Sequence, residues 1–213
     1  MAADNDLDLA LTDVRRAYRL TWSYQRRIFD MIQLIAAKFP QHQFHTWEAL
    51  DREPPVKRGT NPLRKWAWDL LPMYRISFFF LPLGADESRP KLGEWMLEVK
   101  IITDTGWDAY SDRGEPDAAR FEDVTTSASL LTLYAWHCTA DSHIKYMDLW
   151  RKHEWPEEDK MPTQHPDVNF QVVQQTFNLS FLPDEASVEE AVRDFKLTML
   201  ESLNISVDAQ SNS

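Results

Sequence analysis

Apolar residues recur at three- and four-residue steps through the first 39 residues, and no Pro or Gly interrupts them before Pro40. These steps line one face of a helix at 3.6 residues per turn, so the pattern predicts a long amphipathic helix over residues 6–39. Its predicted apolar face consists of Leu7, Leu11, Val14, Tyr18, Trp22, Phe29, Ile32 and Ala36.

The period of the pattern changes to two from Tyr74 onward. Two alternating runs, before and after the turn-rich residues 83–93, predict a pair of antiparallel strands. In the second run Trp95, Leu97, Val99 and Ile101 alternate with more polar positions, which is typical of a half-buried strand. That alternation predicts that Glu98 and Lys100 are exposed to solvent.

Five further elements are predicted from shorter patterns. They are a helical turn around Phe44–Leu50, a helix beginning at Asn61-Pro62, an apolar segment over 126–138, a helix over 141–153 and a strand over Val168–Leu182. The segment 126–138 fits either a strand or a helix, and we favour the strand. The last strand changes phase near Val172–Gln174, which predicts a β-bulge there. A final helix is expected over 187–203, with Ser187 and Glu190 as a capping box.

These elements together predict an α+β fold. A long N-terminal helix and short helices precede an antiparallel β-meander that contains a helical insertion, and a C-terminal helix follows. We expect a single domain over residues 1–204 and a frayed polar tail over 205–213.

Composition excludes several enzyme classes. The chain has five glycines, and no two of them lie closer than eight residues. A dinucleotide-binding fingerprint, a P-loop and a nucleophile elbow all need closer glycines, so Rossmann, P-loop and ordinary α/β-hydrolase chemistry are not expected. Cys138 is the single cysteine, which excludes an intrachain disulfide and a Cys-rich zinc site.

The N-terminus and the apolar runs predict where the protein resides. The first residues are acidic, unlike a signal peptide, and the apolar run Phe78–Leu83 is far too short to span a bilayer. We therefore expect a soluble cytoplasmic protein that does not bind membranes.

The net charge of −11 is unevenly distributed. Residues 1–75 contain 12 Lys and Arg against 9 Asp and Glu, whereas residues 76–213 contain 11 against 25. Positive charge forms two clusters in the first part: Arg15, Arg19 and Arg26 on one face of the long helix, and Arg58, Arg64, Lys65 and Trp66 within segment 52–68. Either cluster could bind an anionic partner or be neutralised by the protein's own acids.

Two of the nine tryptophans lie in predicted loops. Trp107 lies in the acidic loop 104–123, and Trp155 lies beside Pro156 in a loop that contains further prolines. Exposed tryptophans are favoured at interfaces, so both are candidate anchors for a partner; the alternative is that each packs locally within its loop.

One pattern resembles a nuclease site. Glu98-Val-Lys100 on a strand, with Asp86 upstream, could hold Mg²⁺ and activate water. A second pattern, His42-x-x-His45-x-x-Glu48, could hold zinc if these residues were helical. Because three-residue motifs are common by chance, and because alternation places Glu98 and Lys100 in solvent, we expect no metal and no cofactor.

The sequence therefore favours a non-catalytic protein–protein interaction protein with a polarised charged surface. An accessory subunit, an antitoxin or an immunity-type inhibitor would fit this description. The alternatives are a nucleic-acid-binding module that uses segment 52–68, and a metal-dependent nuclease that uses Asp86, Glu98 and Lys100.

Overall fold

The computed structural model describes residues 2–50, 74–109 and 117–207 of the 213-residue chain. In these ranges three α-helices accompany six strands. The helices are α1 (Ala2–Ala37), α2 (Tyr146–Lys152) and α3 (Glu185–Leu203). The strands are β1 (His42–Ala49), β2 (Arg75–Pro82), β3 (Trp95–Ile102), β4 (Leu130–Cys138), β5 (Thr163–His165) and β6 (Phe170–Asn178).

The strands form one sheet in the order β1-β2-β3-β4-β6-β5, and every neighbouring pair is antiparallel. The first four strands follow chain order, and α2 and β5 are inserted between β4 and β6. The α+β prediction is confirmed. The strand expected within 126–138 is β4, and the helix expected over 141–153 is the shorter α2.

Helices cover both faces of the sheet. On one face, Leu97, Val99 and Leu133 pack with the inward residues of α1 and α3. On the other face, Met96 and Trp136 pack with α2, which contributes Tyr146, Met147, Leu149 and Trp150. The sheet is therefore the middle layer between two apolar cores.

This double cover overturns the predicted exposure of Glu98 and Lys100. Every residue of β3 is buried: Glu98 is fully inaccessible to solvent and Lys100 is 7% exposed. The alternation of polar and apolar residues in β3 indicated one solvent-exposed face. In the structure, however, α2 and the segment around Trp155 cover that second face.

The predicted bulge in β6 is also wrong, for the same reason. β6 pairs with β4 in one unbroken register from Phe170 to Asn178. Val172 packs into the core beside α2, and Val173 packs into the core beside α1 and α3. A strand buried on both faces carries adjacent apolar residues without any change of register.

The helical turn predicted around Phe44–Leu50 is a strand, β1, at the edge of the described sheet. Its pairing with β2 shifts register between Phe44 and Thr46. This bulge places Phe44 opposite Phe80 and Trp47 opposite Phe78, which brings both β1 aromatics to one face. A spacing of three residues on one face imitates a helix, and this explains the error.

The ends of α3 differ from the prediction in detail. Asp184, not Ser187, is the N-cap residue: its carboxylate accepts the backbone N–H of Ser187, whose hydroxyl in turn accepts the N–H of Asp184. The hydrogen bonds that Ser187 donates to this carboxylate lower the pKa of Asp184. Beyond the helix, Ile205 and Val207 of the expected frayed tail pack against the core. The helix expected from Asn61-Pro62 lies outside the described residues.

Phe195→Ala tests whether α3 is essential to the core. Phe195 is completely buried between α3 and the sheet, so its truncation is expected to lower the free energy of unfolding by about 3–5 kcal/mol. Leu197→Ala is the matched control on the same helix, because Leu197 is 52% exposed, and we expect a change within ~0.5 kcal/mol. Urea unfolding followed by circular dichroism measures both values. Equal effects would show that α3 does not pack as described.

Candidate interaction surface on the first helix and strand

The N-terminal half of α1 extends away from the core. Residues 6–23, which we call the arm, are exposed at every position except the partly covered Thr12 and Thr21. The first buried residue of the helix is Ile28, and Met31, Ile32, Ile35 and Phe39 continue the buried side. At 1.5 Å per residue the arm is about 27 Å long.

The arm carries an exposed row of large apolar side chains. Leu7, Leu11, Val14, Tyr18 and Trp22, which we call the apolar stripe, are all exposed; Tyr18 is 75% exposed and Trp22 is 66% exposed. At 100° per residue the stripe lies about a quarter of a turn from the buried side of α1. The predicted apolar face of α1 is therefore real, but only its C-terminal part reaches the core.

The basic row Arg15, Arg19 and Arg26 runs beside the apolar stripe on the same helix. Arg15 lies 4.0 Å from Asp8, and Arg26 lies 3.8 Å from Asp30. All four of these side chains are more than half exposed, and ion pairs in such positions contribute little to stability. The basic row is therefore exposed to solvent, and its proposed contact with a partner stays a prediction.

The stripe leads into a groove between α1 and the β1 edge of the sheet. This groove, which we call the β1 groove, has a volume of about 460 Å³. Its lining is Arg26, Phe29, Asp30, Ile32, Gln33, Ala36, Phe44, Phe78 and Phe80. The rings of Phe29 and Phe78 meet edge to face at 6.2 Å between centroids, and those of Phe44 and Phe80 do so at 5.9 Å.

The rim of the β1 groove remains open to solvent. Phe44 is 56% exposed and Phe29 is 43% exposed. Trp47, which is paired with the groove residue Phe78 on the neighbouring strand, is also 43% exposed. Large aromatic side chains that are half exposed and gathered beside a basic row are typical of interaction sites. The sequence pattern does not single out Phe29, Phe44 and Trp47 as surface residues, because Phe29 falls on the predicted apolar face of α1 and the other two fall in the predicted helical turn.

Residues 4–204, nearly the whole chain, match the PM0109 family. The chain belongs to the PM0109 family. The PM0109 protein of Pasteurella multocida (strain Pm70) is similar to it, with 26% identity over 216 residues that cover 94% of this chain and 97% of that protein. No solved structure matches the chain. The arm, the basic row and the β1 groove all lie within the part that matches the PM0109 family.

The other predicted partner-binding residues fall into two groups. Arg58, Arg64, Lys65 and Trp66 lie outside the described residues. Trp107 and Trp155 are described, and both are half-buried rather than exposed. Trp107 packs edge to face on Phe121, with 6.1 Å between ring centroids, and Trp155 packs on Trp150 and Tyr134, so both tryptophans fit the alternative of local packing.

Glu98 lies at the centre of a buried polar cluster in this PM0109-family chain. One carboxylate oxygen accepts the hydroxyl of Ser77 at 2.6 Å and the indole N–H of Trp150 at 3.1 Å. The other accepts the indole N–H of Trp136 at 2.8 Å. Two strands and α2 are therefore linked through one side chain.

Burial raises the pKa of Glu98 above its ordinary value, while its three hydrogen-bond donors and the positive charge of Lys100 act in the opposite direction. The ammonium of Lys100 lies 3.7 Å from the centre of the Trp155 ring, a cation–π contact. Trp155 also packs on Trp150 and Tyr134. Glu98 and Lys100 thus connect the strands, α2 and Trp155 within the second core of the protein.

The structure offers no metal-binding arrangement at the predicted positions. The carboxylate of Glu98 is occupied by its three donors, and Asp86 caps a turn by accepting the N–H of Ser88. His42 contacts the carbonyl oxygen of Trp95 instead, and burial lowers its pKa to about 4. Across 2–50, 74–109 and 117–207, no group of three or more His, Cys, Asp or Glu could hold a metal ion.

The described helices were also compared with the length and apolar character of a membrane span. Within the described ranges, none of them has an apolar stretch of the length that a bilayer requires.

Glu98→Gln tests the buried cluster. The amide nitrogen of glutamine cannot accept a hydrogen bond, so one donor loses its acceptor and the free energy of unfolding is expected to fall by about 1–3 kcal/mol. This difference in the free energy of unfolding between wild type and variant depends on pH.

The folded state raises the pKa of Glu98, so the contribution of Glu98 to the free energy of unfolding is fully present below its ordinary pKa of 4.5. The contribution declines as the pH rises through the folded pKa.

The difference in the free energy of unfolding between wild type and Glu98→Gln is therefore expected to become smaller as the pH rises. Urea unfolding at a series of pH values measures it. Glu201→Gln, at an exposed position of α3, is the control and should leave the stability unchanged at every pH. A gap that does not vary with pH would contradict the raised pKa.

Proposed function

We propose that this PM0109-family protein is a non-catalytic protein–protein interaction protein that binds its partner through the β1 groove and the basic row. The observation that carries the proposal is the continuity of half-exposed aromatic side chains with exposed arginines on one side of α1. An accessory subunit, an antitoxin or an immunity-type inhibitor would act in this way. We propose a cytoplasmic setting as well, since the only cysteine, Cys138, is a free and buried thiol.

The chemistry of the surface defines the partner. Phe29, Phe44 and Trp47 suit apolar side chains that insert between helix and strand, and the arginines beside them suit carboxylates. An amphipathic helix supplies both from one face, through apolar residues at helical spacing and acids along the border. We therefore propose that the partner presents an acidic amphipathic helix.

The apolar character of the groove favours a protein over a nucleic acid. Binding to a phosphate backbone depends mainly on Lys and Arg and needs no apolar groove. In this protein the arginines border a groove lined by four phenylalanines. Loss of co-purifying nucleic acid, rather than protein, in the variants below would reverse this choice.

Phe44→Ser combined with Trp47→Ser tests the groove. Both side chains are solvent-accessible on an edge strand, so the fold should survive while the apolar contact with the partner is lost. The matched control is Phe181→Ser, another exposed aromatic (77%), beside the opposite side of α1 where Arg27 donates to the carbonyl of Leu182.

Tagged wild type and variants serve as baits in a lysate of the source organism, with quantitative mass spectrometry as the readout. We expect at least a tenfold loss of specific partner proteins with the double variant, because two interface anchors cost more than 1.4 kcal/mol. The Phe181 control should recover them normally. Equal recovery by all three baits would refute the groove as the site.

Replacing Arg15, Arg19 and Arg26 together with Gln tests the basic row. Removing three accessible positive charges should slow association with an acidic partner and flatten the dependence of binding on salt concentration. Surface plasmon resonance with the captured partner at several salt concentrations measures both effects. An unchanged association rate at low salt would show that the basic row does not face the partner.

A further inference from the structure

We propose that the apolar stripe of the arm is covered by the arm of a second copy of this chain, in an antiparallel helix pair. The inference concerns the arm rather than the β1 groove, so it does not depend on the partner proposed above. Its basis is the combination of an exposed stripe, a helix without tertiary support and a charge pattern that fits only one direction of pairing.

The arm needs a partner to be a stable helix. Residues 6–23 form helix without contributing any buried residue to the core. Isolated helices of this length are marginal in water, and most helical stability in proteins comes from packing of the apolar face. The stripe supplies such a face, since its steps of four, three, four and four residues keep it on one side.

Small residues on the stripe's border allow close approach of a second helix. Ala10 and Ala17 lie seven residues apart, next to Leu11 and Val14, and Thr21 follows at almost the same helical angle. The interface offered by the arm therefore combines large residues with small ones. Helices pack closely when large side chains of one lie over small side chains of the other.

The charges of the arm decide the direction. Asp6, Asp8 and Asp13 lie in its N-terminal half, and no Lys or Arg occurs there; Arg15, Arg16 and Arg19 follow in the other half, and Arg26 and Arg27 come directly after it. A parallel pair would place acid beside acid and arginine beside arginine. An antiparallel pair places the acidic half of each copy beside the basic half of the other, which is favourable.

The spacing of the stripe also sets the register. Read in either direction, four of its five positions coincide when the copies are related about a point between residues 14 and 15. In that register Leu7 lies opposite Trp22 and Leu11 opposite Tyr18, and the two copies of Val14 lie on either side of the centre, one residue out of alignment. Asp8 and Arg19 lie on the same border of the stripe, so Asp8 of each copy comes within a turn of Arg19 of the other. Such an isologous pair closes on itself and does not form fibres.

The first experiment measures the mass of the full chain by size-exclusion chromatography with light scattering. Wild type is expected near twice 25.0 kDa at all but the lowest concentrations. Leu11→Asp with Tyr18→Asp should give a monomer, because carboxylates replace two stripe residues. Leu9→Asp with Leu20→Asp is the matched control: both leucines are exposed on the other side of the arm, and this variant should remain dimeric.

A monomeric wild type at every soluble concentration would overturn the proposal, and so would a dimer that the Leu11 and Tyr18 changes leave intact. Circular dichroism confirms that the variants fold.

The second experiment tests direction with engineered cysteines, since the natural Cys138 is buried. In the antiparallel register two copies of residue 7 lie roughly 22 Å apart, too far for a disulfide. Val14→Cys is expected to cross-link to itself under mild oxidation. Leu7→Cys and Trp22→Cys should each fail alone but cross-link when mixed. Self-cross-linking of Leu7→Cys would mean that the helices are parallel and would overturn the proposed pairing.

The two proposals fail separately. If the protein is a dimer but captures no partner through Phe44 and Trp47, the proposed function is refuted and the helix pair is supported. If the protein is a monomer but captures a partner that depends on the β1 groove, the helix pair is refuted and the proposed function is supported.

Discussion

The double cover of the sheet is the constraint on which the other elements depend. A strand with polar residues on one face is stable when that face is exposed to solvent. β3 has no solvent-exposed face, since Glu98 and Lys100 are both buried. A buried carboxylate is costly unless donors surround it, and Ser77, Trp136 and Trp150 supply them. The position of α2 follows, because Trp150 on that helix is one of the donors.

The same layering explains why α1 has two unlike halves. The sheet needs covering over its own width, and residues 28–39 of the chain complete that cover together with α3. The remaining length of α1 has no sheet beneath it. Its apolar stripe therefore continues into solvent. A helix that covered only the width of the sheet would have begun near Tyr24. The extra length is what makes a helix pair and a separate groove possible on one molecule.

This arrangement shows where the positive charge of the first part of the chain lies on the molecule. The basic residues of the first part of the chain that the structure describes are concentrated on α1, and several of them border apolar surface. Surface ion pairs such as those of Arg15 and Arg26 are weak and exposed, so they do not remove the basic row from contact with other molecules. The interaction surface proposed for this PM0109-family protein thus lies on one face of one helix and the strand beside it.

Periodicity by itself determined the secondary structure wherever one pattern dominated: the long first helix, the strands β2 and β3, the last helix and the α+β class. The segment 126–138 fitted a strand or a helix, and only the structure shows that it forms β4. It also picked out Arg15, Arg19 and Arg26 as a row, because helical angles follow from numbering alone. What covers a face is a different kind of information, since it depends on residues distant in the chain. Only the tertiary structure decided that Glu98 is buried, that Val172 and Val173 need no bulge, and that Leu7 to Trp22 lie outside the core. Local sequence records which side chains share a face, and the packing of distant segments decides whether that face meets protein or water.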